Sequence, residues 1–199
     1  MNEVAGTAGY GTRAVDLAVQ YESIKFEDVH RTVIHLFPSQ VSDVLDIGAG
    51  TGRDAAALAL RGHRVVAVEP TLELRRAGQS LHPLPNLEWV DDQLPALRVM
   101  RARGQRFDLV LLTAVWMHLD EAERHAAMQA TTGLLAEGGL LIMSLRHGPV
   151  PEGRRMFEVS AEETMVLGEA AGLQRYHCSE RGDMFERGDV RWSFIGLKR

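Results

Sequence analysis

Short aliphatic runs recur along the chain at Val44–Ile47, Arg64–Val68, Leu87–Val90, Phe107–Thr113 and Leu140–Leu145. Segments such as Asp108-Leu109-Val110-Leu111-Leu112 present no polar face. Strands built from them must be covered on both sides, as parallel strands are. Parallel neighbours need long crossovers, and helical patterns stand between the runs. Arg53 to Arg61 is nearly all Ala and Leu, which predicts a thin buried helix, with Gly62 placed to end it in a left-handed C-cap. Asp120 followed by Glu123 has the form of a capping box and predicts a helix to about Leu135. Glu137-Gly138-Gly139 then predicts the turn into the fifth strand.

Toward the C-terminal side the rhythm changes. Leu173 to Glu180 and Val190 to Leu197 are separated by a polar loop too short for a helical crossover, so they predict an antiparallel hairpin. The fold class that follows is α/β: a mostly parallel seven-stranded sheet with helices on both faces and an antiparallel C-terminal hairpin. Before residue 40, Arg13 to His35 reads as one or two amphipathic helices, with Ala14, Leu17, Val19, Tyr21, Ile24, Phe26, Val29 and Val33 on the apolar side. At 199 residues, 45% of them hydrophobic, the chain has material for one core. A single domain is expected, with residues 1–38 as a helical cap, 41–146 as the core, 147–160 as a loop over one side of the site, and 161–199 as a helix and hairpin.

Charge and composition narrow the function classes. The formal net charge is −5, and no basic stretch suited to displacing counterions from phosphates is present, so nucleic acid is not expected as a partner. No run approaches the ~20 apolar residues of a membrane helix. Met1 to Tyr10 lacks the basic end and apolar stretch of a secretory signal, so a cytoplasmic protein is expected. Cys178 is the single cysteine, which excludes an internal disulfide and a thiolate zinc site. Among the eight histidines, neither His30 with His35 nor His118 with His125 has the spacing that puts two imidazoles on one helical face. No metal is expected, and the histidines read as core or solvated. Two Arg-Gly-Asp tripeptides, Arg181 to Asp183 and Arg187 to Asp189, read as charged turn chemistry, and the eight methionines as core filler.

The chemistry concentrates where the first strand, Val44-Leu45-Asp46-Ile47, runs into Gly48-Ala49-Gly50-Thr51-Gly52 and then into a helix. Glycines at such a turn permit positive φ and let a ligand approach without a Cβ in the way. The second strand ends in Glu69, about 20 residues past the first glycine, the spacing at which a neighbouring strand tip meets a ribose. A carboxylate there accepts from both ribose hydroxyls and selects an adenosine-type ligand without a 2′-phosphate. Pro70, next in line, offers an apolar wall for adenine.

On these residues the chain resembles the class I S-adenosylmethionine-dependent methyltransferase family, whose sheet is Rossmann-like. The acidic residue and three glycines of that family's first motif stand here as Asp46, Gly48, Gly50 and Gly52, and its ribose carboxylate as Glu69. Its acidic residue for the adenine amino group falls on Asp91 or Asp92, with Asp91 preferred because it directly follows the strand. The segments Phe107 to Leu119 and Leu135 to Gly139 match as well, so the likeness covers roughly residues 41–146. The resemblance implies S-adenosylmethionine as cofactor, S-adenosylhomocysteine as product, and no metal. It further implies an N-terminal helix that closes over the cofactor, where Tyr10, Arg13 and Tyr21 are the residues of interest. Arg13 would pair with the cofactor carboxylate and Tyr21 contact its methionine end, although packing also explains Tyr21.

Two other readings compete. A nicotinamide-dependent dehydrogenase needs a small residue at the sixth loop position, which here is Arg53, and Asp46 would repel a pyrophosphate. A protein that binds the cofactor as a sensor or assembly partner is compatible with the same motifs, since they report binding only.

Residues after the fourth and fifth strands should face the methyl group. Thr113-Ala114-Val115-Trp116-Met117-His118 occupies the first position, with Thr113 at the cofactor and His118 as candidate base. The competing reading of His118 is a cap or hydrogen-bonding histidine. Arg146-His147 ends the fifth strand, and the connection through Gly148 to Met156, with Arg154, is long enough to arch over the site. Arginine grips carboxylates and phosphates through paired hydrogen bonds, so Arg146, His147 and Arg154 are candidates for an anionic small-molecule acceptor. The competing reading leaves the loop arginines solvated. Methylation of base or amide nitrogens is disfavoured, because Thr113-Ala114-Val115-Trp116 lacks the acid-or-amide, two-proline, aromatic pattern of those enzymes.

Overall fold

The computed structural model describes residues 14–199. Its seven strands form one sheet in the order β3-β2-β1-β4-β5-β7-β6. Strands β1 (Asp43–Ile47), β2 (Arg64–Val68), β3 (Leu87–Val90), β4 (Phe107–Thr113) and β5 (Leu135–His147) pair in parallel. Strand β7 (Arg191–Lys198) runs antiparallel between β5 and β6 (Gln174–Gly182). The expected fold class is the observed one.

Alternate residues of the same strands enter opposite cores, which is why the runs lack polar alternation. On one face Val44, Val65, Leu109, Leu111, Ile142 and Phe194 pack with Phe26 of α2 (Phe26–Val29) and with Ala55 and Leu58 of α3 (Arg53–Leu60). On the other face Leu45, Ile47, Val110, Leu112 and Met143 pack under α5 (Arg98–Arg103), α6 (Glu121–Thr132) and α7 (Ala161–Ala170). The remaining helices, α1 (Ala14–Glu22) and α4 (Leu72–Leu81), meet through Leu17 and Leu74. Helix α6 opens on a complete capping box: Asp120 Oδ1 accepts from the Glu123 N–H at 2.9 Å, and Glu123 Oε2 accepts from the Asp120 N–H at 2.8 Å.

Three local expectations are corrected. Helix α6 stops at Thr132, because Leu134 and Leu135 are buried and Leu135 already pairs with Phe107 in the sheet. Glu137-Gly138-Gly139 lies inside β5 as a bulge: the register jumps from Phe107–Leu135 to Leu109–Leu140, and Gly138 takes φ +73°. Val19 is 71% exposed and belongs to no core; α1 is short, and its inward face is Leu17 and Tyr21. Among the described residues no helix is long and apolar enough to cross a membrane.

Gly78 in α4 shows how tightly the β1–α3 turn is enclosed. A Cβ there would collide with the Trp89 indole and stand 2.7 Å from the Thr51 carbonyl oxygen. In a helix interior Gly→Ala ordinarily stabilises by about 0.5–1 kcal/mol. Here Gly78→Ala is predicted to destabilise by about 1–3 kcal/mol, the range for overpacking. Urea unfolding measures the change, and a gain in stability contradicts the packing described.

Candidate functional site

The carboxyl ends of β1 and β4 lie side by side where the chain crosses back from β3, the point at which an open α/β sheet leaves a crevice. A cavity of about 510 Å³ opens there. Its floor is the turn after β1. Gly48 has φ +73°, and a Cβ on it would stand 2.5 Å from Val115 Cγ2, so only glycine lets the turn meet the tip of β4. Glu69, at the end of β2, is 5% exposed. Its Oε2 accepts from the Gly50 N–H at 2.9 Å and its Oε1 from the Thr71 N–H at 2.8 Å. Burial pushes this carboxyl above its ordinary range, against the pull of the two N–H groups and the Arg75 guanidinium. Each oxygen keeps acceptor capacity for a further donor. Pro70, Leu94 and Asp92 line the same cavity.

Helix α1 is latched over this turn. Thr51 Oγ1 donates to Glu22 Oε1 at 2.6 Å, and His82 Nε2 lies 3.2 Å from the same oxygen. Leu17 and Tyr21 thereby become cavity wall.

Beneath the turn two buried carboxyls are shifted in opposite directions. Asp54 is buried, yet accepts from His30 Nε2 at 2.8 Å, Arg53 Nε at 2.7 Å and Thr113 Oγ1 at 2.8 Å. Burial works against its ionisation, but His30 and Arg53 hold it far below the usual carboxylate range. Asp46, penultimate in β1, is pushed well above that range by burial and by the Asp54 charge. Its Oδ2 is buried with no hydrogen-bond partner among the described residues. An unpaired carboxyl oxygen at the cavity floor calls for a donor, preferably a cationic one.

The opposite wall comes from later in the chain. At the tip of β4, Ala114 takes φ +59°, and its N–H donates to Ser144 Oγ at 2.9 Å. His118 Nδ1 lies 2.8 Å from the Arg155 carbonyl oxygen. Donation to a carbonyl requires the proton on Nδ1, which leaves the lone pair of the neutral ring on Nε2. Burial, with Arg154 and Arg155 nearby, lowers the His118 pKa. Arg155 is committed elsewhere, to Glu123 at 2.8 Å and Asp120 at 3.1 Å.

Of the residues expected at the site, the structure gathers Asp46, Gly48, Ala49, Gly50, Glu69, Pro70, Asp92, Thr113, Tyr21, His118, Arg146 and Arg154 around one cavity. Three lie outside its lining. Asp91, the preferred adenine acid, is exposed and paired with Arg75 at 2.8 Å; its neighbour Asp92 is buried and faces the cavity. His147 bonds Ser193 Oγ at 2.7 Å, because β5 continues through it and adjacent strand residues face opposite ways. Gly52 packs under Trp89 instead. Arg13, like Tyr10, lies outside the described residues. Arg181, Asp183, Phe185, Arg187 and Trp192 of the C-terminal hairpin were not expected, yet they line the cavity. The two Arg-Gly-Asp tripeptides marked the hairpin tip without indicating what it covers. No group of residues suited to a metal ion occurs among the described residues.

Residues 44–139 match the family model described as a methyltransferase domain. Over these residues, just under half of its length, the chain is similar to methyltransferase domains. An uncharacterized methyltransferase of Alkaliphilus oremlandii is 28% identical over 100 residues, 50% of this chain and 44% of that protein. The chain thus spans about half the length of the curated relatives it matches. In fold it resembles the 1,6-didemethyltoxoflavin-N1-methyltransferase of Burkholderia thailandensis, crystallised with 1,6-didemethyltoxoflavin and S-adenosylhomocysteine. That likeness has a TM-score of 0.69 at 20% identity and covers 100% of this chain and 92% of the other. The N-methyltransferase NodS of Bradyrhizobium japonicum, in complex with S-adenosyl-L-homocysteine, gives a TM-score of 0.68 at 16% identity, covering 91% and 86%. At these identities the likeness is one of fold.

The opposed pKa shifts of Asp46 and Asp54 predict opposite mutational effects. Asp54→Asn removes the charge that His30 and Arg53 neutralise and should cost about 3–5 kcal/mol. Asp46 keeps its proton in the native state at pH values where the unfolded chain has lost it, so its contribution falls as pH rises above the ordinary carboxylate range. Asp46→Asn should remove that slope and leave the protein at least as stable near neutrality. Denaturant unfolding between pH 4 and about 8 reads both effects, across the window in which native stability ordinarily peaks. Equal losses for the two variants contradict the assignment of charge.

Proposed function

We propose that this protein is an S-adenosylmethionine-dependent methyltransferase that acts on a small-molecule acceptor by direct in-line transfer. The observation that carries the reading is the pairing of a buried Glu69, bridging two strand ends, with the unpartnered Asp46 Oδ2 in a single cavity. These residues fit the cofactor. Glu69 would hold the ribose hydroxyls, Asp92 and Pro70 the adenine, and Asp46 with the Gly48–Gly50 turn the ammonium end, beside Tyr21. When bound, S-adenosylmethionine supplies a methyl group already activated on a sulfonium sulfur.

What the protein adds is position, exclusion of water and a proton acceptor. Helix α1, held by Glu22, covers the cofactor side, while the 151–156 loop and the C-terminal hairpin enclose the acceptor side. For a hydroxyl or ammonium acceptor, His118 Nε2 takes the proton that the nucleophile must lose. Burial lowers the pKa of the ring and so favours the neutral form, the state required of a base. The fold relatives crystallised with S-adenosylhomocysteine support this cofactor, and the named acceptor of one of them supports a small molecule.

Calorimetry of the full chain should show S-adenosylhomocysteine binding and no NADH binding. Glu69→Ala should weaken the former about tenfold to a hundredfold, the value of charge-assisted hydrogen bonds. NADH binding in place of S-adenosylhomocysteine overturns the reading.

With an acceptor in hand, turnover should rise with pH through a pKa below the ordinary histidine value and stay level above neutrality, since protonation disables the base. His118→Gln should abolish this acid limb and lower kcat by about 10²- to 10⁴-fold. Wild-type turnover in that variant removes His118 as the base.

A further inference from the structure

The antiparallel part of the sheet places cationic side chains on the cavity wall that methyl transfer leaves unused. Arg146 of β5 faces Trp192 of β7, and Trp192 faces Arg181 of β6. Residues directly opposite one another project from the same face of a sheet. The two arginines therefore flank one indole, with backbones about 10 Å apart across two strand spacings. Ser144 and Phe194, two residues along, share that face and also line the cavity. The Arg181 guanidinium lies 5.1 Å from the Phe194 ring centroid.

The carboxylate nearest this row is already satisfied. Asp183, whose side chain is 2% exposed, accepts from Arg187 Nε at 2.8 Å and Nη2 at 2.7 Å, from Trp192 Nε1 at 3.0 Å and from the Phe185 N–H at 3.0 Å. Arg146 donates to the carbonyl oxygens of Pro149 at 2.9 Å and Gly148 at 3.5 Å. Arg181 donates to the Val29 carbonyl at 3.2 Å, and its Nε is buried with no hydrogen-bond partner among the described residues. Among the described residues neither guanidinium has a carboxylate in ion-pair contact. Burial and a neighbouring cation, Arg187 for Arg146 and Arg31 for Arg181, hold both below the ordinary arginine value, with Asp183 and Asp189 pulling the other way on Arg146 and Asp183 and Asp28 on Arg181. Two half-buried guanidinium groups on one wall, neither in ion-pair contact with a carboxylate among the described residues, are suited to an incoming anion.

Building on the methyltransferase reading, we infer that Arg146, Trp192 and Arg181 form an anion subsite that holds a carboxylate or phosphate group of the acceptor. The acceptor is then an acidic organic molecule. Its charged end lies on this row, and its apolar body has Met117, Met156 and Phe185 available in the same cavity. The partner of Arg146 in this grip is Arg181, which the sequence spacing did not suggest.

Ligand-observed NMR titrations of the full chain, saturated with S-adenosylhomocysteine, test the subsite with benzoate, phenyl phosphate and neutral benzamide. At least one anion should bind about tenfold or more tightly than benzamide, and the tighter of the two identifies the preferred group. Arg146→Gln and Arg181→Gln should each weaken that anion about tenfold while leaving benzamide and S-adenosylhomocysteine affinity unchanged. Arg175→Gln, on the exposed outer strand, should change nothing. Equal affinity for the three probes, or unaltered anion binding in both glutamine variants, overturns the proposal. Should a glutamine variant not fold, the lysine variants decide: loss of paired hydrogen bonds should weaken the anion severalfold, and undiminished binding counts against the subsite. If the wild type fails to bind S-adenosylhomocysteine, the cofactor reading falls, while anion discrimination by the unliganded chain still judges the subsite.

Discussion

One buried carboxylate ties the site together. Glu69 takes an N–H from the turn after β1 and another from the segment after β2, so the ends of two parallel strands share one acceptor. A carboxylate removed from water must be matched by donors, and backbone N–H groups are the ones a glycine turn can present without side-chain interference. The positive φ values at Gly48 and Gly50 shape the turn whose Gly50 N–H reaches Glu69, and Glu69 is among the residues that line the cavity. The proposed ribose contact rests on what remains: a pair of carboxylate oxygens at the tip of a strand.

Around that contact charge is distributed unevenly, and the distribution defines the two ends of the cavity. Asp54 collects three donors beneath the turn and is held far below the usual carboxylate range; burial and the Asp54 charge push Asp46 the other way, and its Oδ2 has no partner among the described residues. Across the cavity the imbalance reverses, with Arg146 and Arg181 held on a sheet face whose nearest carboxylate already serves Arg187. The cavity thus has an unpaired carboxyl oxygen at its floor and two guanidinium groups on its wall, with His118 among the residues that line it.

Much of this was legible in the chain because local rules decided it. The bounds of β2, β3 and β4 follow from aliphatic runs, the start of α6 from a capping box, and Glu69 from its distance to the first glycine. Where sequence reading failed, a period-two alternation or a long-range pairing decided the outcome. Asp91 and Asp92 are equivalent as letters, and burial separates them. His147 was expected to join Arg146, yet adjacent residues of a strand face opposite ways, and His147 turns to Ser193 instead. Glu137 to Gly139 reads as a turn and forms a bulge, because Leu135 finds Phe107 first. Arg181 and Trp192 stand more than thirty positions from Arg146 in the chain, and only the β5-β7-β6 pairing makes them neighbours.

The claim on which all of this rests is that Glu69 is a ribose anchor at the rim of the glycine turn. A crystal structure of the protein grown with S-adenosylhomocysteine measures it directly. Both ribose hydroxyls should lie within about 3.2 Å of the Glu69 carboxylate, with the amino group of the ligand directed at Asp46. A ligand seated elsewhere, with Glu69 still bound only to Gly50 and Thr71, would contradict it.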